Sequence, residues 1–303
     1  MIEAQRLTRR YGDFLAVSDV SFAIDSGEIV GLLGHNGAGK TTIMKMLTGY
    51  LEPSAGAVQV DGVTVESDPL SVQSSLGYLP ESLPLYPELS VVDYLEYAAR
   101  LRGVDPAVAV RKAIAATELE SKALEPISTL SRGFKQRVGV AQAILHEPKF
   151  LILDEPTNGL DPSQTQHMRQ LIQRLAESAT VILSTHIMQE VDAICGRAII
   201  LRGGELVLDE RLADLQRSNT FVLRSTPDAD IESLLQSLSV TTSVARKDSG
   251  NWQVEVSGEL DPAAEAIAAA MVGGGHSVFE LKLLKRDLET VFREVNEETQ
   301  DAA

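Results

Sequence analysis

Apolar and polar residues alternate in short runs near the start of the chain, over residues 2–7 and 17–24, and then give way to the unbroken apolar run Ile29-Val30-Gly31-Leu32-Leu33. Alternation predicts strands with one buried face, and the unbroken run predicts a strand buried on both faces. Next comes Gly34-His35-Asn36-Gly37-Ala38-Gly39-Lys40-Thr41-Thr42, with Ile43, Met44, Met46 and Leu47 following at helical spacing. Strand, glycine loop and helix thus succeed one another. From about residue 83 to 145 the apolar period lengthens to that of helices, over 91–101, 107–119 and 136–145, punctuated by Pro84, Pro87, Pro106 and Pro126. Two further apolar strands, 150–153 and 181–183, flank a helical pattern over 164–176. Apolar strands alternating with helices predict an α/β fold built on a largely parallel sheet.

The character changes beyond Leu206-Val207-Leu208. A polar run, Gln216-Arg217-Ser218-Asn219, precedes new alternation, and this places a boundary between a first domain over residues 1–215 and a second over 220–303. Within the first, residues of about 82–145 form a helical subdomain. The tail reads as strand 221–224, helix 231–238, strand 240–245, a turn at Asp248-Ser249-Gly250-Asn251, strand 252–256, helix 262–271, strand 278–281 and helix 288–295. That βαββαβ order predicts a small ferredoxin-like α+β domain. Trp252 reads as a core or hairpin anchor within it.

Composition narrows the function classes. The 303 residues include 27 Lys+Arg against 43 Asp+Glu, a formal net charge of −16, which argues against nucleic-acid binding because phosphate neutralisation needs a basic face. The same charge disfavours adhesion to anionic lipid. The chain has one cysteine, Cys195, so an internal disulfide is excluded and a reducing cytoplasm fits. No apolar run approaches the ~20 residues that span a bilayer, and no export signal is legible, so direct membrane insertion is not expected.

The chemistry concentrates in two motifs. Gly34-x-x-x-x-Gly39-Lys40-Thr41 is the phosphate-binding loop pattern, in its confirming context of strand before and helix after. Glycines leave the backbone N–H groups free to close round phosphates, and the helix that starts there adds its positive end. The Lys40 ammonium suits the β- and γ-phosphates and the Thr41 hydroxyl suits Mg²⁺. In the second motif, Phe150-Leu151-Ile152-Leu153-Asp154-Glu155, an apolar strand ends in two carboxylates. Asp154 can hold the metal while Glu155, pointing to the opposite side, polarises a water. His35, His146, His167 and His276 show no metal-ligand spacing.

At these residues the chain resembles an ATP-binding cassette (ABC) ATPase, over about residues 2–212. Leu130-Ser131-Arg132-Gly133-Phe134-Lys135-Gln136 resembles the ABC signature sequence, Gly159-Leu160-Asp161 the family's D-loop, and His186 after Val181-Ile182-Leu183-Ser184-Thr185 its switch histidine. Tyr11 stands where the family carries its adenine-stacking aromatic. Arg132 replaces the first of two signature glycines, and in Gly77-Tyr78-Leu79-Pro80-Glu81 a glutamate stands where the family has a metal-touching glutamine. Both variants resemble a branch of multidrug, polysaccharide and gliding-motility-associated exporter ATPases.

The resemblance implies a P-loop NTPase cassette with ATP and Mg²⁺ as its cofactors. It implies nucleotide contacts at Tyr11, Gly34, His35, Asn36, Gly37, Ala38, Gly39, Lys40, Thr41 and Thr42, and from a second copy at Ser131 and Gly133. It further implies metal contacts at Thr41, Glu81 and Asp154, with Glu155, His186 and Lys40 catalytic. The phosphate loop and the signature of one chain are too far apart in the family to meet, so a head-to-tail homodimer is expected, placed on the inner face of the membrane by separate permease subunits. Leu83, Leu85 and Tyr86 either line the groove for the permease's cytoplasmic helix or pack within the helical subdomain. The competing function is a soluble ABC ATPase working on ribosomes or DNA without a permease. The second domain could serve dimerisation, regulation or permease contact.

Overall fold

A computed structural model describes residues 1–284 and 288–297, and the parts of the expected second domain at 285–287 and 298–303 lie outside the described residues. Met1–Leu212 forms one compact unit and Ala213–Glu294 another, so that their division falls a few residues before the boundary expected from the polar run.

The first unit opens with strands β1 (Ile2–Tyr11), β2 (Phe14–Ile24) and β3 (Ile29–Leu33), then helix α1 (Lys40–Leu47), β4 (Ala55–Val60), β5 (Val63–Thr64), α2 (Pro69–Ser75) and β6 (Leu76–Leu79). Helices α3 (Val91–Leu101), α4 (Pro106–Thr117) and α5 (Arg132–Ile144) follow, and β7 (Phe150–Asp154), α6 (Pro162–Ala176), β8 (Thr180–Thr185), α7 (Met188–Ile194), β9 (Arg197–Arg202) and β10 (Glu205–Arg211) complete the layer. A four-residue helix, α8 (Leu212–Leu215), comes next.

Helix starts are set by side chains that satisfy free backbone N–H groups. Ser90 caps α3 through the Asp93 N–H, Asp105 caps α4 through the Ala107 N–H, and Asp161 caps α6 through the Gln164 N–H. Pro106 and Pro162 stand in the first turns of α4 and α6, where their missing N–H costs nothing. Helix α5 begins at Arg132, four residues before the periodicity at Gln136 suggests, because Ser131 caps it by accepting from the Phe134 N–H. Its first turn is too polar to show in the apolar pattern.

A six-stranded sheet has the order β10-β9-β3-β8-β7-β6, parallel throughout except for β10. Strands β3 and β7 therefore flank β8. The loops that leave all three emerge at the same, carboxyl end of the sheet, which is where ligands collect in folds of this kind. An antiparallel sheet in the order β2-β1-β4-β5 packs against it, with Ile2, Leu7, Val20, Ile24, Ile43, Met44, Leu47 and Ile152 fully buried in one core. Helices α3, α4 and α5 make a second core around Val91, Leu95, Val138 and Ala141. Leu85 packs onto this second core and Leu83 onto a third, around Leu79, Val140, Leu151 and Leu171, whereas Tyr86 stays exposed and meets Tyr94 and Tyr97 edge-on at ring separations of 6.0 and 5.8 Å. Of the two roles open to these residues, Leu83 and Leu85 follow packing within the fold, and Tyr86 stays at the surface.

The second unit holds β11 (Thr220–Ser225), α9 (Asp230–Gln236), β12 (Thr241–Asp248), β13 (Asn251–Val256), α10 (Leu260–Gly273) and β14 (Val278–Leu283), followed by α11 (Leu288–Glu297). The four strands are antiparallel in the order β12-β13-β11-β14. Phe221, Leu223, Trp252, Val254, Ile267 and Met271 form its core, with Trp252 1% exposed.

Candidate ATP site

The loop between β3 and α1 wraps Lys40. Its ammonium donates to the Gly34 carbonyl at 2.7 Å and the His35 carbonyl at 3.4 Å, and lies 3.6 Å from Glu155 Oε1. Lys40 and Glu155 are both nearly sealed from solvent, which strengthens their attraction. Gly39 precedes the helix with φ of +103°, and a Cβ there would meet the Ala16 carbonyl at 2.8 Å, so the position admits no side chain. Gly37 and Gly39 line a cavity of about 360 Å³.

That cavity is lined by Tyr11, Asn36, Gly37, Ala38, Gly39, Lys40, Thr41, Thr42, Glu81 and Glu155, all expected from the sequence, and also by Phe14 and Ala16. Phe14 was not anticipated. It is 63% exposed and pairs with Tyr11 across the β1–β2 hairpin, so the two aromatics stand side by side at the cavity rim. Arg9 stacks on the Tyr11 ring at 4.8 Å. Gly34 and His35 do not line the cavity; the loop turns their carbonyls towards Lys40 instead.

Asp154, which does not line the cavity, is fully buried at the end of β7. Its Oδ1 accepts a hydrogen bond from the Ser184 hydroxyl, while Oδ2 is buried with no partner among the described residues. An orphaned buried carboxylate oxygen is costly, and a hard cation beside it would remove that cost. The oxygen donors Thr41, Asp154 and Glu81 thus fit Mg²⁺ in chemistry.

Glu155 adopts φ of +51°, a left-handed conformation that a non-glycine residue rarely takes. Its N–H is held by the Ser184 carbonyl at 3.2 Å and the Ser184 hydroxyl at 3.1 Å. The kink turns the Glu155 carboxylate to the His186 ring, whose Nδ1 is 3.1 Å from Oε1 and 3.0 Å from Oε2. A buried carboxylate, a lysine and a half-exposed imidazole therefore meet at the mouth of the phosphate loop.

Ser131 and Gly133 are not part of this assembly. They line a separate cavity of about 330 Å³ between α5 and α6, together with Leu160, Asp161, Gln164 and His167 among others, and no residue lines both cavities.

Comparison with known proteins places this geometry. Residues 17–158 match the ABC transporter family. The chain is 35% identical over 221 residues to the bacitracin transport ATP-binding protein BcrA of Enterococcus faecalis, covering 72% of each chain. It is 31% identical over 295 residues to the uncharacterized ABC transporter ATP-binding protein YdbJ of Bacillus subtilis, covering 96% of this chain and 94% of that one. The dimeric structure of MJ0796, a bacterial ABC transporter cassette, superposes with a TM-score of 0.65 at 25% identity over 70% of this chain and 99% of that chain. Among the described residues no helix is long and apolar enough to cross a membrane. With relatives at 31% and 35% identity matched over most of their length, this chain is a member of the ABC transporter ATP-binding protein family.

Proposed function

We propose that the chain hydrolyses ATP as a head-to-tail homodimer and thereby drives a separate membrane permease, in an exporter. The observation that carries this reading is the separation of the phosphate cavity, with Lys40, Thr41 and Glu155, from the signature cavity, with Ser131 and Gly133. Each cavity lacks what the other offers. A second copy related by a two-fold axis supplies both complements at once.

In the closed dimer, ATP lies between Lys40 and Thr41 of one subunit and Ser131 and Gly133 of the other, with its base against Tyr11 and Phe14. The loop N–H groups of residues 37–41 and the Lys40 ammonium take the phosphate charge. Glu155 orients the attacking water and accepts its proton, and His186, steered by the Glu155 carboxylate, contacts the γ-phosphate. Thr41, Asp154 and Glu81 would hold Mg²⁺, which would supply positive charge against the phosphate oxygens. Loss of the γ-phosphate removes a contact that both subunits share, and the dimer opens. That opening is the motion passed to the permease.

Exposed Tyr86, on the helical subdomain, is the contact we assign to the permease, which holds the subunit peripherally at the inner membrane face. The exporter direction is supported by Glu81 and Arg132, which resemble the exporter branch. Two measurements test the reading. Purified protein turns over ATP in a Mg²⁺-dependent manner, and tagged protein captured from membranes brings a polytopic membrane protein with it. Recovery with ribosomes or DNA in its place would contradict it.

A further inference from the structure

Helix α7 carries a buried carboxylate that neither the sequence motifs nor the site described above uses. Glu190 is 2% exposed, and among the described residues no cation lies within ion-pair distance of it. Burying a carboxylate is expensive unless hydrogen bonds replace its water. Here one oxygen, Oε2, takes two: from the Thr157 hydroxyl at 2.5 Å and from the Thr185 hydroxyl at 3.1 Å.

The two donors belong to different loops. Thr157 lies two residues past Glu155, in the turn closed by Asn158 N–H to the Glu155 carbonyl at 3.1 Å. Thr185 ends β8 directly before His186, and its hydroxyl also accepts from the Ile187 N–H at 3.1 Å, so the residues on both sides of His186 are tied together. The Glu190 N–H returns to the Ile187 carbonyl at 3.1 Å. A single buried oxygen thus fastens the backbone behind Glu155 to the backbone on either side of His186, while the side chains of Glu155 and His186 face each other at 3.0–3.1 Å.

We propose that Glu190 is a positioning residue for hydrolysis, holding Glu155 and His186 at their working separation by clamping the Thr157 and Thr185 hydroxyls together. The proposal rests on the reading of Glu155 and His186 as the hydrolytic pair. It assigns Glu190 no contact with ATP, so binding is spared and turnover is not. The amide of a glutamine presents a carbonyl oxygen that accepts both hydroxyls, whereas alanine presents none.

The test uses the full chain with Glu190→Gln, Glu190→Ala and Thr157→Val. Glu190→Ala lowers kcat for ATP about tenfold or more with KM within about twofold of the parent, and Glu190→Gln stays within about threefold in both. Combining Thr157→Val with Glu190→Ala costs little beyond Glu190→Ala alone, because both remove the same clamp. In the nucleotide-free protein, amide hydrogen exchange quickens at Asn158 and Ile187 in Glu190→Ala and not in Glu190→Gln. Unchanged kcat in Glu190→Ala, equal losses in the Ala and Gln variants, or unchanged exchange at either amide would overturn the proposal. If the parent chain itself failed to turn over ATP, the hydrolytic reading would fall, and the exchange measurement would still decide whether Glu190 clamps the two loops.

Discussion

The guanidinium of Arg132 occupies the space that a side chain on Gly159 would need: a Cβ there would come within 2.5 Å of the Arg132 Cζ. Gly159 lies in the loop between Glu155 and α6, and Arg132 follows the Ser131 cap of α5, so this packing joins the signature helix to the loop behind the carboxylate pair.

Gly159→Ala is expected to disturb the loop. Its φ of +72° strains an alanine by roughly 1 kcal/mol, whereas the overlap falls on the far end of the exposed, flexible Arg132 side chain, which can swing aside at little cost. Thermal melting should show the loss. Arg132→Ala in the same chain should therefore recover little of the loss, leaving the backbone strain as the main effect and a double-mutant cycle close to additive.

Lys40→Ala removes the ammonium held by the Gly34 and His35 carbonyls. Loss of charge-assisted bonds to phosphate should weaken ATP binding by about 10- to 100-fold, measured by titration calorimetry. The substitution also takes from Glu155, 8% exposed at its side chain, its lysine partner, so the nucleotide-free protein should melt earlier.

Acid should weaken the fold through His146. Burial pushes its imidazole below the ordinary value, the charge of Arg102 adds to this, and the hydrogen bond to the Leu76 carbonyl at 3.0 Å opposes it. Below about pH 6.5 the unfolded chain then binds a proton that the native chain refuses. Stability accordingly falls as the pH drops through that value and stops falling below the native pKa. Urea unfolding at pH 7.5 and 5.5 should show a smaller difference for His146→Gln than for the parent.

The glycine loop between β3 and α1, the carboxylate pair at the end of β7 and the strands they follow were legible because their signals are local: an apolar run, a turn that needs glycine, and a helix directly after it; the order of the strands in the sheet was not. Residues 91–101 even match α3 at both ends, where the Ser90 cap and the apolar stripe coincide. Phe14 escaped because it is an exposed aromatic in a strand, and only its register against Tyr11 brings it to the cavity. Glu190 escaped for a different reason. Helix α7 has seven residues, too few to display a period, and a lone glutamate in it reads as a solvated acid until tertiary packing seals it against Thr157 and Thr185. Ser184 is similar, since nothing in an apolar strand's sequence says that its hydroxyl will hold Asp154.

Trp252, the one tryptophan of the chain, sits in the core of the second unit, so intrinsic fluorescence follows the unfolding of that unit. Trp252→Ala should cost it about 3–5 kcal/mol, and Trp252→Phe, which keeps most of the volume, clearly less. Denaturant unfolding followed by circular dichroism checks both.

In the proposed cycle two copies close on ATP and Glu155 drives its hydrolysis. Size-exclusion chromatography with light scattering, with and without ATP, tests it on Glu155→Gln beside a turnover assay. The account predicts a dimer that appears only with ATP, together with turnover reduced by about 100-fold or more. A variant that stays monomeric with ATP and hydrolyses it at the parent rate would contradict it.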